Sequence, residues 1–259
     1  MDSSAFPEAD PEIVSRRATS FGGQAAAYAQ ERPDYPDAAV EWALAPVADR
    51  SPVKVLDLGA GTGKLTEVIL RHRRDVVAVE PDAAMRAELR RTLPEATVLE
   101  GSAERIPLPD ASVDAILVGQ ALHWFDLDRA IPEMARVLSS GGVVAGLWNM
   151  DDDRVPWVAG YKDVCRSQVS FKRNETVRML PPTPYFGEVE LAEFPHAQRR
   201  TAESLTATVG THSHVLILPD DERAKVLGTV LGYLKETPET AEGDFDLPIV
   251  TRTGRMIRN

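Results

Sequence analysis

From residue 53 onward the chain repeats one pattern: a short apolar run, a turn, then apolar residues at every third or fourth position. The runs are 53–58, 76–80, 96–99, 113–118 and 143–148, all rich in Val, Leu, Ile or Ala. Short and nearly continuous, they predict strands buried on both faces of a parallel sheet. Between them, Leu65, Val68 and Ile69 share a helical face, and Arg71, Arg73 and Arg74 then oppose the negative end of the dipole. Met85, Leu89 and Leu93 recur at fourfold spacing behind a candidate cap, Asp82, and Pro94 closes that helix. Ile131, Met134 and Leu138 repeat behind Asp128, with Gly141 as the expected stop. Strand alternating with helix in this way predicts an α/β doubly wound sheet with right-handed crossovers.

Outside that stretch the pattern weakens. Residues 1–20 are polar and hold Pro7 and Pro11, which predicts a loose start. Tyr35-Pro36-Asp37 leads into a helix with Val40, Leu44 and Val47 on one face. Residues 150–185 are mixed, and Pro181-Pro182-Thr183-Pro184 marks a loop. Residues 188–194 alternate like a strand, Asp220 starts a helix carrying Val226, Val230 and Leu234, and 245–251 fits a last strand. No clean linker separates two domains. The expected organisation is an α/β domain over 51–259, with an N-terminal helical cap over 1–50 and a cap insertion at about 150–185.

Composition narrows the class. The 259 residues carry 29 Lys and Arg against 40 Asp and Glu, a formal charge of −11. That balance opposes binding to nucleic acid or to an anionic membrane, both of which run on basic patches. The single cysteine, Cys165, excludes an intramolecular disulfide and a cysteine-built zinc site. Neither a transmembrane run nor a signal-peptide pattern is present in the sequence, so a cytoplasmic location is expected.

The strongest chemical signal is Asp57-Leu58-Gly59-Ala60-Gly61-Thr62-Gly63, where a buried strand runs into three alternate glycines and a helix follows. Glycines there permit positive φ and let the backbone approach a ligand. Glu80 ends the next strand, where an acid can accept from ribose hydroxyls in this architecture. A phosphate loop needs Gly-Lys-Ser/Thr after its last glycine, but Leu65 follows Lys64. A dinucleotide fingerprint needs its third glycine one residue later than Gly63. S-adenosylmethionine (SAM) has cationic sulfonium and ammonium groups that need acids and carbonyls, and Asp57 supplies an acid beside the turn.

These residues, with Val79-Glu80-Pro81-Asp82 after them, resemble motif I and its sequel in the class I SAM-dependent methyltransferases. Gly101-Ser102-Ala103-Glu104 with Ile106-Pro107-Leu108-Pro109-Asp110, Gln120-Ala121-Leu122-His123-Trp124, and Arg136-Val137-Leu138 with Gly141-Gly142 resemble later segments of that family, in register. The likeness covers roughly residues 20–150 and looks nearest to the small-molecule group of ubiquinone-biosynthesis and trans-aconitate methyltransferases. Tyr28, Arg32-Pro33 and Tyr35-Pro36 fit that group's lead-in segment. The resemblance implies a seven-stranded, mostly parallel, Rossmann-like sheet with its last strand antiparallel. It also implies a SAM site in which Gly59, Ala60 and Gly61 lie against the methionine part. Glu80 would bind the ribose, and Pro81, Ala103 and Glu104 lie at the adenine end, although an aspartate is common where Glu104 stands. Gln120 would sit near the sulfonium, and Tyr28 or Arg32 would close over the carboxylate.

The implied activity is methyl transfer to an oxygen, nitrogen or carbon of a small-molecule acceptor, releasing S-adenosylhomocysteine, in a monomer or a homodimer. Two alternatives stand beside it: a SAM-binding protein without turnover, and an NAD-dependent oxidoreductase. The second lacks a Tyr-x-x-x-Lys pair, since Cys165 stands four positions after Tyr161. His123 is the candidate general base, against a simpler role lining the cofactor beside Trp124. No metal is expected. His212 and His214 have no third ligand of convincing spacing, and adjacent aspartates such as Asp151-Asp152-Asp153 are usually solvated.

Overall fold

The computed structural model describes residues 33–72, 75–165, 181–216 and 218–259. Its strands are β1 (Lys54–Leu58), β2 (Asp75–Glu80), β3 (Thr97–Glu100), β4 (Val113–Gly119), β5 (Leu138–Asp151), β6 (Glu190–Arg200) and β7 (Phe245–Ile257). They form one sheet in the order β3-β2-β1-β4-β5-β7-β6. Every pair is parallel except β5 with β7 and β6 with β7, so β7 alone runs against the rest. This is the mostly parallel, doubly wound sheet the apolar runs predict. The strand order reverses between β1 and β4, and the carboxyl ends there frame the crevice that such sheets offer to ligands.

Helices cover both faces. On one, α1 (Asp37–Leu44) and α2 (Lys64–Arg71) bury Val40, Leu44, Leu65, Val68 and Ile69 against Val55, Leu117, Val143 and Leu147. On the same side α3 (Ala83–Thr92) sets Leu89 on Ala78 and Val98. On the other, α4 (Leu127–Val137) buries Ile131, Met134 and Val137 against Leu56, Leu58, Ile116 and Val144. Asp82 caps α3 as expected, accepting from the Met85 amide at 2.9 Å. The start and end of α4 differ from the sequence reading. Its N-cap is Asp126 rather than Asp128, and it stops at Val137, four residues before Gly141. Leu138 already has extended dihedrals and opens β5 beside Val113, so the strand begins where the helix was expected to continue. Gly141, at φ +67°, instead lies in the shifted register between β4 and β5.

A third core lies beyond the parallel part of the sheet. Here α5 (Pro156–Val164), α6 (Ala202–Gly210) and α8 (Asp220–Glu236) enclose Val158, Tyr161, Leu205, Val209, Val230 and Leu234. A four-residue helix, α7 (Ser213–Leu216), connects α6 to α8. Their floor is Phe245, Leu247 and Ile249, the outer end of β7. Tyr233 donates to the Trp157 carbonyl at 2.8 Å, and a Cβ on Gly160 would come within 2.3 Å of its hydroxyl oxygen. Only glycine lets α5 and α8 meet there. Helix α6 was not foreseen; its signal is a capping box in which Thr201 and Ser204 exchange backbone-to-side-chain bonds. β6 and β7 also run well past the expected 188–194 and 245–251, because the two pair along eleven positions, from Glu190↔Arg255 to Arg200↔Phe245. Among the described residues, no helix is long and apolar enough to cross a membrane.

Candidate cofactor site

The cleft at the switch point is built outward from the glycine turn. Gly59, Gly61 and Gly63 have φ of +74°, +58° and +93°, a conformation that costs other residues strain. The amides of Gly59 and Ala60 both donate to the Val79 carbonyl, at 2.8 and 3.2 Å, which fixes the turn to β2. A Cβ on Gly59 would lie 2.8 Å from the Ala121 Cβ, so side-chain-free backbone is a packing requirement there as well.

Two buried carboxylates frame the turn. Asp57, in β1, accepts from the Thr66 hydroxyl at 2.6 Å through one oxygen; its other oxygen is buried with no hydrogen-bond partner. Burial, opposed by the Thr66 bond and aided by Glu80, pushes the Asp57 carboxyl up to about 7. Glu80 holds the Gly61 amide at 2.9 Å with one oxygen and the Asp82 amide at 2.8 Å with the other. Burial raises its pKa, although both amides pull the other way. Glu80 therefore organises the turn, and a carboxylate has further lone pairs for a ligand's hydroxyls. Thr62 is buried too, and its hydroxyl has no partner.

The opposite wall comes from β4, β5 and the lead-in to α1. Pro33, Tyr35, Lys64, Gly119, Gln120 and Asn149 line the cleft with Asp57 and residues 59–62. Gln120 is one of two non-glycine residues with positive φ among those described, at +56°, and its side-chain amide donates to the Asn149 carbonyl at 2.8 Å. Beyond Glu80, Pro81, Glu100, Gly101, Ser102, Arg105, Ile106 and Pro107 line a second depression of about 430 Å³.

Comparison with known proteins fits this geometry. Residues 56–146 match the family model described as a methyltransferase domain. An uncharacterized methyltransferase of Mycobacterium tuberculosis is 41% identical over 233 residues, covering 90% of this chain and 93% of its own. An uncharacterized methyltransferase-like protein of Schizosaccharomyces pombe is 33% identical, with 87% and 90% covered. A solved structure from Anaeromyxobacter dehalogenans, assigned as a type II methyltransferase, superposes with a TM-score of 0.62 at 27% identity, covering 88% of this chain and 97% of that one. The chain belongs to the class I SAM-dependent methyltransferases.

The donor set of this methyltransferase suits the sulfonium cofactor. A cation beside Asp57 would meet the unpaired, buried oxygen of a carboxyl whose ionisation burial disfavours. Positive φ at Gly59 and Gly61 keeps the turn's backbone open to close approach by a ligand.

Of the other residues singled out in the sequence, Ala103 is buried and Glu104 accepts from the Asp126 amide at 3.0 Å. Burial opposes ionisation of Glu104, but bonds from Ser102 and Asp126 bring its pKa below the ordinary value. His123 is exposed on the short turn after β4, its ring 4.7 Å from that of Trp124. Tyr28 and Arg32 lie outside the described residues. Cys165 sits beside the third core, where burial pushes its thiol up to about 12, which keeps it protonated and unreactive. Asp152 pairs with Arg154 at 2.6 Å and Asp153 with Lys162 at 2.5 Å, so these aspartates are engaged in ion pairs. The sequence reading missed Asn149 and Thr66, and placed Tyr35 in the lead-in without assigning it to the site. Asn149 had a weak signal, a polar residue closing an apolar strand at the sheet's carboxyl end.

Proposed function

We propose that this methyltransferase carries the methyl group of SAM to an oxygen, nitrogen or carbon of a small-molecule acceptor and releases S-adenosylhomocysteine. The observation that carries the reading is Asp57: a buried carboxylate with one unpaired oxygen, lining a cleft whose floor is the backbone of residues 59–61. SAM supplies, when bound, an electrophilic methyl group on a positively charged sulfur. Asp57 would hold its cationic methionine end, and Gly59, Ala60 and Gly61 would lie along that part. Glu80 would accept from the ribose hydroxyls while it keeps the Gly61 amide in place. Pro81, Ala103 and Glu104 would bound the adenine, Gln120 would stand near the reacting centre, and Tyr28 or Arg32 would cover the carboxylate.

Methyl transfer needs in-line positioning and exclusion of water more than proton transfer. His123 would be the base if the acceptor must lose a proton. The acceptor would enter between the lead-in segment and the third core. The net charge of −11 opposes a nucleic-acid acceptor, whose phosphate backbone it would repel.

Titration calorimetry with SAM, S-adenosylhomocysteine and NAD tests the reading. Both sulfur compounds should bind, and Glu80→Ala should weaken SAM by about a hundredfold, about 2.7 kcal/mol. Binding of NAD instead of SAM would reject it. With a turnover assay in hand, full activity in His123→Ala would remove that residue as the base.

A further inference from the structure

A line of hydrogen bonds crosses the sheet from its edge to the cleft. The side chains of Asn149 in β5, Thr251 in β7 and His196 in β6 share one face, because Asn149 is the register partner of Thr251 and Ile249 that of His196. The Asn149 side-chain nitrogen lies 3.2 Å from the Pro33 carbonyl oxygen and 3.0 Å from that of Asp34. Two carbonyls can only accept, so this end of the amide must be the NH2 group. Its oxygen therefore faces the Thr251 hydroxyl, 2.5 Å away, and must accept from it. Thr251 has a single proton to give. Its oxygen also lies 3.0 Å from His196 Nε2, which must therefore carry a hydrogen and donate. Burial lowers the His196 pKa, although Asp34 pulls it up, so the ring sheds its charge at a lower pH than an ordinary histidine, and the bond to Thr251 selects the Nε2–H tautomer of the neutral ring.

The direction of every bond is thus set from the edge strand inward: His196 to Thr251, Thr251 to Asn149, Asn149 to Pro33 and Asp34. Two further bonds converge on the same place. Gln120 donates to the Asn149 backbone carbonyl, and Lys64 pairs with Asp34 at 2.8 Å. Pro33, Lys64, Gln120 and Asn149 all line the cofactor cleft, whereas Thr251 and His196 do not appear on its surface. Thr251 is fully buried.

We propose that His196 and Thr251 are positioning residues for the cofactor site: they orient the Asn149 amide, and that amide fastens the Pro33–Asp34 lead-in as a wall of the cleft. Reversing the amide would set its oxygen against two carbonyls and remove both bonds. The inference rests on the SAM reading only for the ligand; the fastening itself is a property of the free protein.

Two readouts separate the two claims. Hydrogen exchange of the peptide spanning 33–44, whose Ala39 and Val40 amides bond the Pro36 carbonyl, reports the fastening without any ligand. SAM affinity by calorimetry reports its effect on the site. Thr251→Val, which keeps shape but cannot donate, and His196→Ala should each speed exchange in that peptide at least fivefold and weaken SAM at least tenfold. Thr251→Ser and His196→Gln, which restore a hydroxyl and an N–H, should lie within about twofold of the natural protein in both. Exchange unchanged in Thr251→Val overturns the proposal, as does damage in His196→Gln equal to that in His196→Ala, which would mean packing alone. Altered exchange in a protein that binds no SAM would uphold the fastening and reject the functional reading.

Discussion

Strands β1 and β2 pair side by side across one glycine turn and one short helix, whereas β6 and β7 pair across everything from 201 to 244. The first region places its chemistry with backbone. Val79 holds the Gly59 and Ala60 amides, Glu80 holds those of Gly61 and Asp82, and positive φ at Gly59 and Gly61 keeps side chains out of the cleft. The second region places its shape with side chains: Leu205, Val209, Val230 and Leu234 enclosed over Phe245 and Leu247. A backbone-built site fails through single strained residues. A side-chain-built shell fails through lost volume.

Four measurements press on that contrast. The largest effect should come from Leu205→Ala in the fully enclosed third core, costing about 3–5 kcal/mol in denaturant unfolding as transfer and cavity terms add. Acceptor turnover should fall with it, while SAM affinity stays within about threefold; a parallel collapse of SAM binding would mean the two regions are one unit. Gly59→Ala should cost about 2–4 kcal/mol, from the +74° φ and the 2.8 Å approach to Ala121. It should remove measurable SAM binding, and retained binding would show that the turn tolerates rearrangement.

Asp57→Asn sharpens the contrast through pH. In the folded protein Asp57 keeps its proton up to about 7, whereas an unperturbed aspartate loses it near 3.8. The stability tied to that proton is complete below about 3.8 and is lost as pH rises through about 7. Ligand-free Asp57→Asn should therefore gain on the natural protein by about 1–3 kcal/mol between pH 4 and 8, while binding SAM less well. Parallel stability curves for the two proteins across that range would mean Asp57 is already ionised. The smallest effect should be Leu191→Lys on the exposed face of β6, within about 0.5 kcal/mol. A larger loss there would reveal a covered surface.

The same contrast explains what the sequence disclosed. The cofactor region is local: each strand is one apolar run, Asp82 announces α3, and the alternate glycines state the turn's conformation directly. Asp57 and Glu80 could be named because their place follows from their distance to a strand end, whereas Gln120 came from the resemblance alone. The region around β6 and β7 depends on distant partners. β6 exposes much of its length and reads as weak alternation, so only its pairing with β7 reveals where it ends. Residues 202–210 include three β-branched residues and end in glycine, poor helix credentials that the Thr201–Ser204 box and burial against α8 override. Pro156 at the first turn of α5 was a usable start signal inside an otherwise mixed stretch. Asn149 gave only the weak signal of a polar residue closing an apolar strand, because its partners at 33–34 and 251 meet only through the sheet.

One arrangement has consequences for how such a chain can diversify. Arg200 and Phe245 are register partners, so the two ends of the 201–244 excursion stand side by side on adjacent strands. A short turn could bridge them without disturbing any strand that carries the glycine turn. The excursion is in effect a cassette slotted into a hairpin. Its length and chemistry can be exchanged, in natural lineages or by design, wherever the replacement again covers Val158, Tyr161 and the floor of Phe245, Leu247 and Ile249.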